Sequence, residues 1–221
     1  MPTGSTYGKA HGHDPAPGPE RPPIAAPTWG PGWGALGPTD EELRREQVWE
    51  RLVGQGLRPE IVDGRVYVSS RAKRRHCVLV DRLADQLCDV KRKNGWEFYQ
   101  SWAVHIPPGR GDKRLPDLLI APPGSPEFDG NQAYGYGTLM AVEVVSSDSR
   151  DDDLEAKPVA YARAGVPMIL ILDDFSTPPS VRLLHGLCDG AYDASIVVEA
   201  GQPLPLPEPF GVTLETGPIF R

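Results

Sequence analysis

A mixed α/β domain, with a central β-sheet flanked by helices behind an N-terminal tail, is what the sequence predicts. Short aliphatic runs separated by Gly, Pro and Asp clusters read as strands. Two stretches carry apolar residues at helical spacing. Residues 1–38 hold 17 of the chain's 49 Gly and Pro and have no apolar period, so they cannot offset their ordering entropy and are expected to be disordered. A length of 221 residues suits this tail plus one domain, residues 39–221.

In chain order, Thr39-Asp40-Glu41-Glu42 ahead of Leu43, Val48 and Leu52 predicts an N-capped helix stopped by Gly54 and Gly56. Asp63-Gly64 between two β-branched runs, Glu60–Val62 and Arg65–Val68, predicts a tight hairpin. From Ala72 to Lys93 the residues Val80, Leu83, Leu87 and Val90 mark one long amphipathic helix, with Asn94-Gly95 as its C-cap.

Strands are expected over Trp96–Ile106, Leu115–Ala121, Leu139–Val145 and Met168–Leu172. The last two are almost wholly apolar, as strands covered on both faces are. Between them Glu155–Ala164 predicts a helix, closed by Gly165-Val166-Pro167 and starting no earlier than about Glu155, because Pro158 lacks an N–H. Arg182–His185 and Ser195–Glu199 are expected to add edge strands.

Composition excludes several classes. The net charge is −7 and the tail's charges cancel, so no uniformly basic nucleic-acid-binding surface is expected. Residues 71–93 nevertheless carry eight Lys or Arg against three Asp, either as a contact to a nucleic-acid backbone or as a solvated helix face. Cys77, Cys88 and Cys188 have neither disulfide nor zinc spacing and read as buried or inert thiols of a reducing cytosol. With no signal-peptide pattern and no run of ~20 apolar residues, a cytoplasmic protein with no membrane partner is expected.

Asp117 opens one apolar strand and Glu143 lies inside another, while Lys157 sits early in the following helix, where a cation is usually unfavourable. A carboxylate among aliphatic neighbours must be paired or bind a metal. A structural Glu–Lys ion pair and a metal site both satisfy that condition. Glu60 reads as an outer ligand or a surface hairpin residue, His76 as a site residue or a solvated one. Asp153 reads as a cap or as a holder of Lys157, and Tyr161 as a core ring.

These residues resemble a known family. The string Pro116-Asp117, Glu143-Val144-Val145-Ser146, Asp153-x-x-x-Lys157-x-x-x-Tyr161-x-x-x-Gly165-Val166-Pro167 and Leu172-Asp173 is similar to the Uma-type restriction endonuclease family of the PD-(D/E)XK nuclease superfamily. It departs from the superfamily's E-x-K pattern, having Val145 two places after Glu143, and has Ile169-Leu170-Ile171 where the family usually shows a tyrosine–tryptophan pair. The resemblance implies a restriction-endonuclease-like fold and metal-dependent cleavage of DNA. Asp117, Glu143 and the Val144 backbone carbonyl would bind Mg²⁺ or Mn²⁺, with Glu60 as the candidate outer ligand and Lys157 beside the attacking water. Arg74, Arg75, His76, Lys91, Arg92 and Lys93 would be the candidates for DNA contact. A homodimer would suit a double-strand cutter. The competing reading is an inactive nuclease-fold module that binds nucleic acid or a protein.

Overall fold

The computed structural model describes residues 38–69, 73–108, 111–147 and 149–221. Residues 1–37 of the expected tail and Ala72 of the expected long helix lie outside them. Helix α1 (Asp40–Gly54) opens with a capping box. The Thr39 hydroxyl accepts from the Glu42 amide at 3.2 Å, and the Glu42 carboxylate accepts from the Thr39 amide at 2.7 Å. Its anchor is not the predicted apolar stripe, since Leu43 and Val48 are both exposed. Trp49 is buried instead, donating Nε1 to the Pro59 carbonyl at 2.9 Å.

Strands β1 (Pro59–Val62) and β2 (Arg65–Val68) form the expected hairpin. Asp63 and Gly64 both have positive φ, 48° and 70°, as this tight turn demands. The long helix predicted from Ala72 is two helices, α2 (Arg74–Gln86) and α3 (Cys88–Asn94), parted at Leu87, where ψ relaxes to −1°. This turn keeps Leu83, Leu87 and Val90 together in one core cluster. Gly95, in the left-handed region at φ 67°, provides the predicted cap.

The strand expected over Trp96–Ile106 is two short ones in different sheets, β3 (Glu97–Tyr99) and β4 (Ala103–His105). The Gln100–Trp102 turn carries the chain across. The strand expected over Leu115–Ala121 is the shorter β6 (Leu118–Ala121), with a two-residue strand β5 (Lys113–Arg114) ahead of the expected run. Then follow β7 (Glu127–Asp129), β8 (Gln132–Tyr134), β9 (Met140–Val144), helix α4 (Lys157–Ala164) and β10 (Ile169–Asp173). The two expected edge strands extend into a nine-residue hairpin, β11 (Ser180–Cys188) and β12 (Ala191–Glu199). Of these, β12 forms the edge and β11 lies inside. A small hairpin, β13 (Pro203–Pro205) with β14 (Thr213–Glu215), and helix α5 (Thr216–Phe220) close the chain.

One six-stranded sheet runs β12-β11-β10-β9-β6-β3, with β9 and β10 parallel and their other neighbours antiparallel. It is mixed, as expected, and flanked by helices. Residues Leu118, Met140, Val142 and Leu170 of one face join Leu79 and Leu83 of α2. Leu119, Ala141, Ile169 and Ile171 of the other join Tyr161 and Ala164 of α4. Side chains alternate along each strand, so a single register builds both cores. A second six-stranded sheet, β2-β1-β5-β4-β8-β7, was not expected.

The helix after β9 begins earlier than about Glu155. Helical backbone starts at Arg150 and passes through a π-helical segment, Asp152–Ala156. Lys157 N donates to the Asp152 carbonyl five residues back, so the ladder is already widened where Pro158 has no N–H to give. The thiols also differ from expectation, since Cys77 and Cys188 are exposed and only Cys88 is partly covered. Among the described residues, no helix is long and apolar enough to cross a membrane.

Candidate active site

The carboxyl ends of the parallel strands β9 and β10 face a cleft of about 670 Å³, walled on its far side by the β1–β2 hairpin and the start of α2. The β6/β9 register pairs Leu118 with Val142, and continued by one residue it sets Asp117 opposite Glu143. Asp117 lines the cleft. Its Oδ2 accepts from the Val144 amide at 2.9 Å, and its Oδ1 stands 2.9 Å from His76 Nε2 and 3.4 Å from Arg58 Nη2. Glu143, on the odd-numbered face of β9 that packs toward α4, has 0% exposure.

Helix α4 supplies both partners of Glu143. Lys157 Nζ donates to Oε2 at 2.7 Å, and the Tyr161 hydroxyl, one turn further on, donates to Oε1 at 2.6 Å. Asp153, one turn before Lys157, holds the same ammonium at 2.9 Å. Its other oxygen accepts from Ser146 N and Ser149 Oγ. Asp153 and Lys157 lie four residues apart and so share one face of this helical segment.

A second ion cluster braces the floor. Arg114 reaches Glu60 Oε2 at 3.0 Å and both oxygens of Asp152 at 2.8 Å, while Glu60 Oε1 accepts from Leu115 N. Glu60 and Arg114 are each only 5% exposed.

Negative charge is in surplus at this floor. Burial pushes the Glu143 carboxyl up to about 8; Lys157 opposes the shift, and Asp117, Glu60 and Asp153 add to it. Burial alone would lower Lys157, yet Glu143, Glu60, Asp153 and Asp117 outweigh it and hold the ammonium well above the usual lysine range. Burial would also raise Asp117, but His76, Lys157 and the Val144 amide together bring it below the usual range. Glu143 and Asp153 contact the Lys157 ammonium and Arg114 pairs with Glu60 and Asp152, so the five carboxylates of the floor, Asp117 included, outnumber its two buried cations, a balance that suits a further cation.

The donor chemistry fits a hard divalent ion. Mg²⁺ is usually held by one or two carboxylates, with water and substrate phosphate completing its shell. Asp117 and Glu143 supply two such groups, although their oxygens are engaged as described above. Among the described residues, no group of three or more His, Cys, Asp or Glu is placed to enclose an ion unaided.

Asp117, Glu143 and Lys157, singled out in the sequence, meet here. Glu60 is buried rather than on the hairpin surface, and His76 is turned to Asp117 rather than solvated. Asp153 holds Lys157 and caps no helix by its side chain. Arg75 lines the cleft while paired to both oxygens of Asp174. Lys91, Arg92 and Lys93, on α3, line none of it. Lys91 lies over the Phe98 ring and Arg92 beside Asp89. Sequence reading missed Arg114 and the Tyr161 hydroxyl. Arg114, a charge just ahead of the apolar Leu115–Ala121 run, was the one readable signal.

A family model, Uma2, described as "Putative restriction endonuclease", matches residues 43–217. The fold is similar to the crystal structure of "a putative nuclease belonging to DUF820" from Anabaena variabilis ATCC 29413. The TM-score is 0.56 at 12% identity, covering 73% of this chain and 89% of that one. At that identity the likeness concerns the fold. No curated protein matches the chain.

Proposed function

The chain belongs to the Uma2 family of restriction-endonuclease type, and from that membership we propose that it is a Mg²⁺- or Mn²⁺-dependent DNA endonuclease whose reaction centre is Asp117, Glu143 and Lys157. The observation that carries this reading is the unbalanced floor of the cleft. Glu60, Asp117, Glu143, Asp152 and Asp153 share the floor with two buried cations, Lys157 and Arg114, and Glu143 is raised to about 8. A purely structural Glu–Lys pair has no need of that surplus.

Asp117 and Glu143 would hold the cation, with the Val144 carbonyl as a further ligand. When bound, the metal lowers the pKa of a water molecule and offsets charge on the phosphodiester. Lys157 stays protonated because its four acidic neighbours hold its proton, so its ammonium stabilises negative charge that builds on the phosphate oxygens. Asp153 fixes the lysine and Tyr161 fixes the face of Glu143. His76 and the Val144 amide orient Asp117. Arg114 keeps Glu60 and Asp152 from adding two free charges beside the site. Arg58, partly exposed at the mouth, is placed to meet a phosphate. Action in the cytoplasm, and pairing of two copies to cut both strands, belong to the same proposal. Incubation with plasmid and oligonucleotide DNA in Mg²⁺, Mn²⁺ or EDTA tests it. Cleavage in the first two alone is expected.

A further inference from the structure

We propose that the DNA segment this cleft accepts is single-stranded or splayed from its duplex, its bases stacking on Tyr67 and Phe175. The inference rests on the nuclease reading of the same site. Both rings line the cleft and both are more than half exposed, Tyr67 at 51% and Phe175 at 54%. Large aromatic side chains left open beside a polar floor mark a binding surface.

Each ring stands on fixed backbone. Tyr67 is the cross-strand partner of Glu60 in the β1–β2 hairpin, so it shares the face that Glu60 turns to the floor. Phe175 follows β10 in a turn pinned by Asp173, whose Oδ1 accepts from the amides of Phe175 and Ser176, each at 3.0 Å. Arg150 in turn clamps Asp173 through both oxygens, at 2.9 and 2.7 Å. The rings therefore come from different sheets, Tyr67 from β2 and Phe175 from the end of β10, and line the cleft that Asp117 and Lys157 also line.

Size and charge point the same way. A cleft of about 670 Å³ lies within the ~300–1,000 Å³ typical of sites for small ligands, which suits one or two nucleotides. Duplex readers rely on a broad cationic face. Here the cations of α3 lie outside the cleft and Arg75 at its wall is already paired with Asp174, which leaves Arg58 and Lys73 as the lining cations open to phosphate, too few for a broad cationic face. Affinity must then come largely from stacking, which tolerates any base sequence.

Fluorescence anisotropy in EDTA, with a labelled single-stranded oligonucleotide, its duplex and an abasic strand of equal phosphate count, tests this without catalysis. The single strand should bind roughly tenfold more tightly than the other two. Tyr67→Ala combined with Phe175→Ala should remove that advantage, about tenfold or more for loss of stacking rings, and should leave abasic-strand binding unchanged. Tyr67→Phe and Phe175→Tyr, which keep the rings, should bind as the parent does. Duplex binding as tight as single-strand binding, or a double-Ala variant with unchanged affinity, would overturn the proposal. Stacking-dependent binding without cleavage in Mg²⁺ or Mn²⁺ would refute the nuclease reading alone, and metal-dependent cleavage of duplex indifferent to both rings would refute this one alone.

Discussion

Tyr161→Phe isolates the tie between α4 and the buried carboxylate, because it removes one hydroxyl and keeps a ring that is fully buried. Glu143 Oε1 loses its 2.6 Å donor, while Oε2 keeps Lys157 at 2.7 Å. A hydrogen bond to a charged group contributes about 1.5–3 kcal/mol, and one between neutral groups about 1 kcal/mol. With Glu143 raised to about 8, the larger figure applies at pH 9 and the smaller at pH 6. At pH 9 that corresponds to a melting temperature lower by roughly 3–12 °C, at about 2–4 °C per kcal/mol for a domain of this size. Tyr192→Phe is the control, since its hydroxyl donates to the neutral Val166 carbonyl at 2.9 Å. Thermal unfolding of both variants in EDTA at the two pH values is the assay. A Tyr161→Phe deficit no larger than the control's at pH 9 would refute the charged bond.

Four further outcomes are expected. Glu143 has a folded pKa of about 8 against an ordinary 4.5, so the folded protein holds the proton more tightly and wild-type stability falls as pH rises between those values. Urea unfolding should therefore show the wild type losing ground against Glu143→Gln, which does not titrate, from pH 5 to pH 8; a constant difference would contradict the shift. Arg114→Met leaves Glu60 buried with only the Leu115 amide and should cost about 3–5 kcal/mol, the scale of a broken buried ion pair. Equilibrium denaturation checks this, and a loss below about 1 kcal/mol would count against it. Neutralising Lys91, Arg92 and Lys93 should leave the cleavage rate nearly unchanged, because α3 begins beyond the far end of a helix about 20 Å long whose start lines the cleft. Lys73→Ala, at the cleft itself, should slow it at moderate salt.

What was legible in the sequence was what neighbouring residues decide. The Thr39 cap, the Asp63-Gly64 turn and the Gly95 stop each follow from interactions within a few positions, and the β9–α4–β10 unit from two apolar runs of strand length on either side of a helical one. The second sheet was not legible, because strands of two to four residues are too short to display a period. Lys113 shows why. It reads as a surface residue, yet it is wholly buried between Glu46, bonded at 2.7 Å, and the Trp49 ring at 4.0 Å, partners more than sixty positions away. At the site, Asp117, Glu143 and Lys157 were legible as charges in apolar company. The hydroxyl of Tyr161 and the turn of His76 toward Asp117 depend on tertiary placement. Pro158 signalled a constraint on the helix, and the structure meets it by a widened turn rather than a later start.

Metal titration by calorimetry, paired with plasmid cleavage on the same samples, tests the central claim most directly. The wild type should bind Mg²⁺ or Mn²⁺ and cut DNA only with the ion present. Asp117→Asn and Glu143→Gln should lose both properties, whereas Lys157→Ala should lose cleavage with near-normal metal affinity, since it removes a cation and no ligand. A wild-type protein that takes up no divalent ion, beside three variants that merely unfold earlier, would contradict the account and leave Glu143 and Lys157 as a structural ion pair.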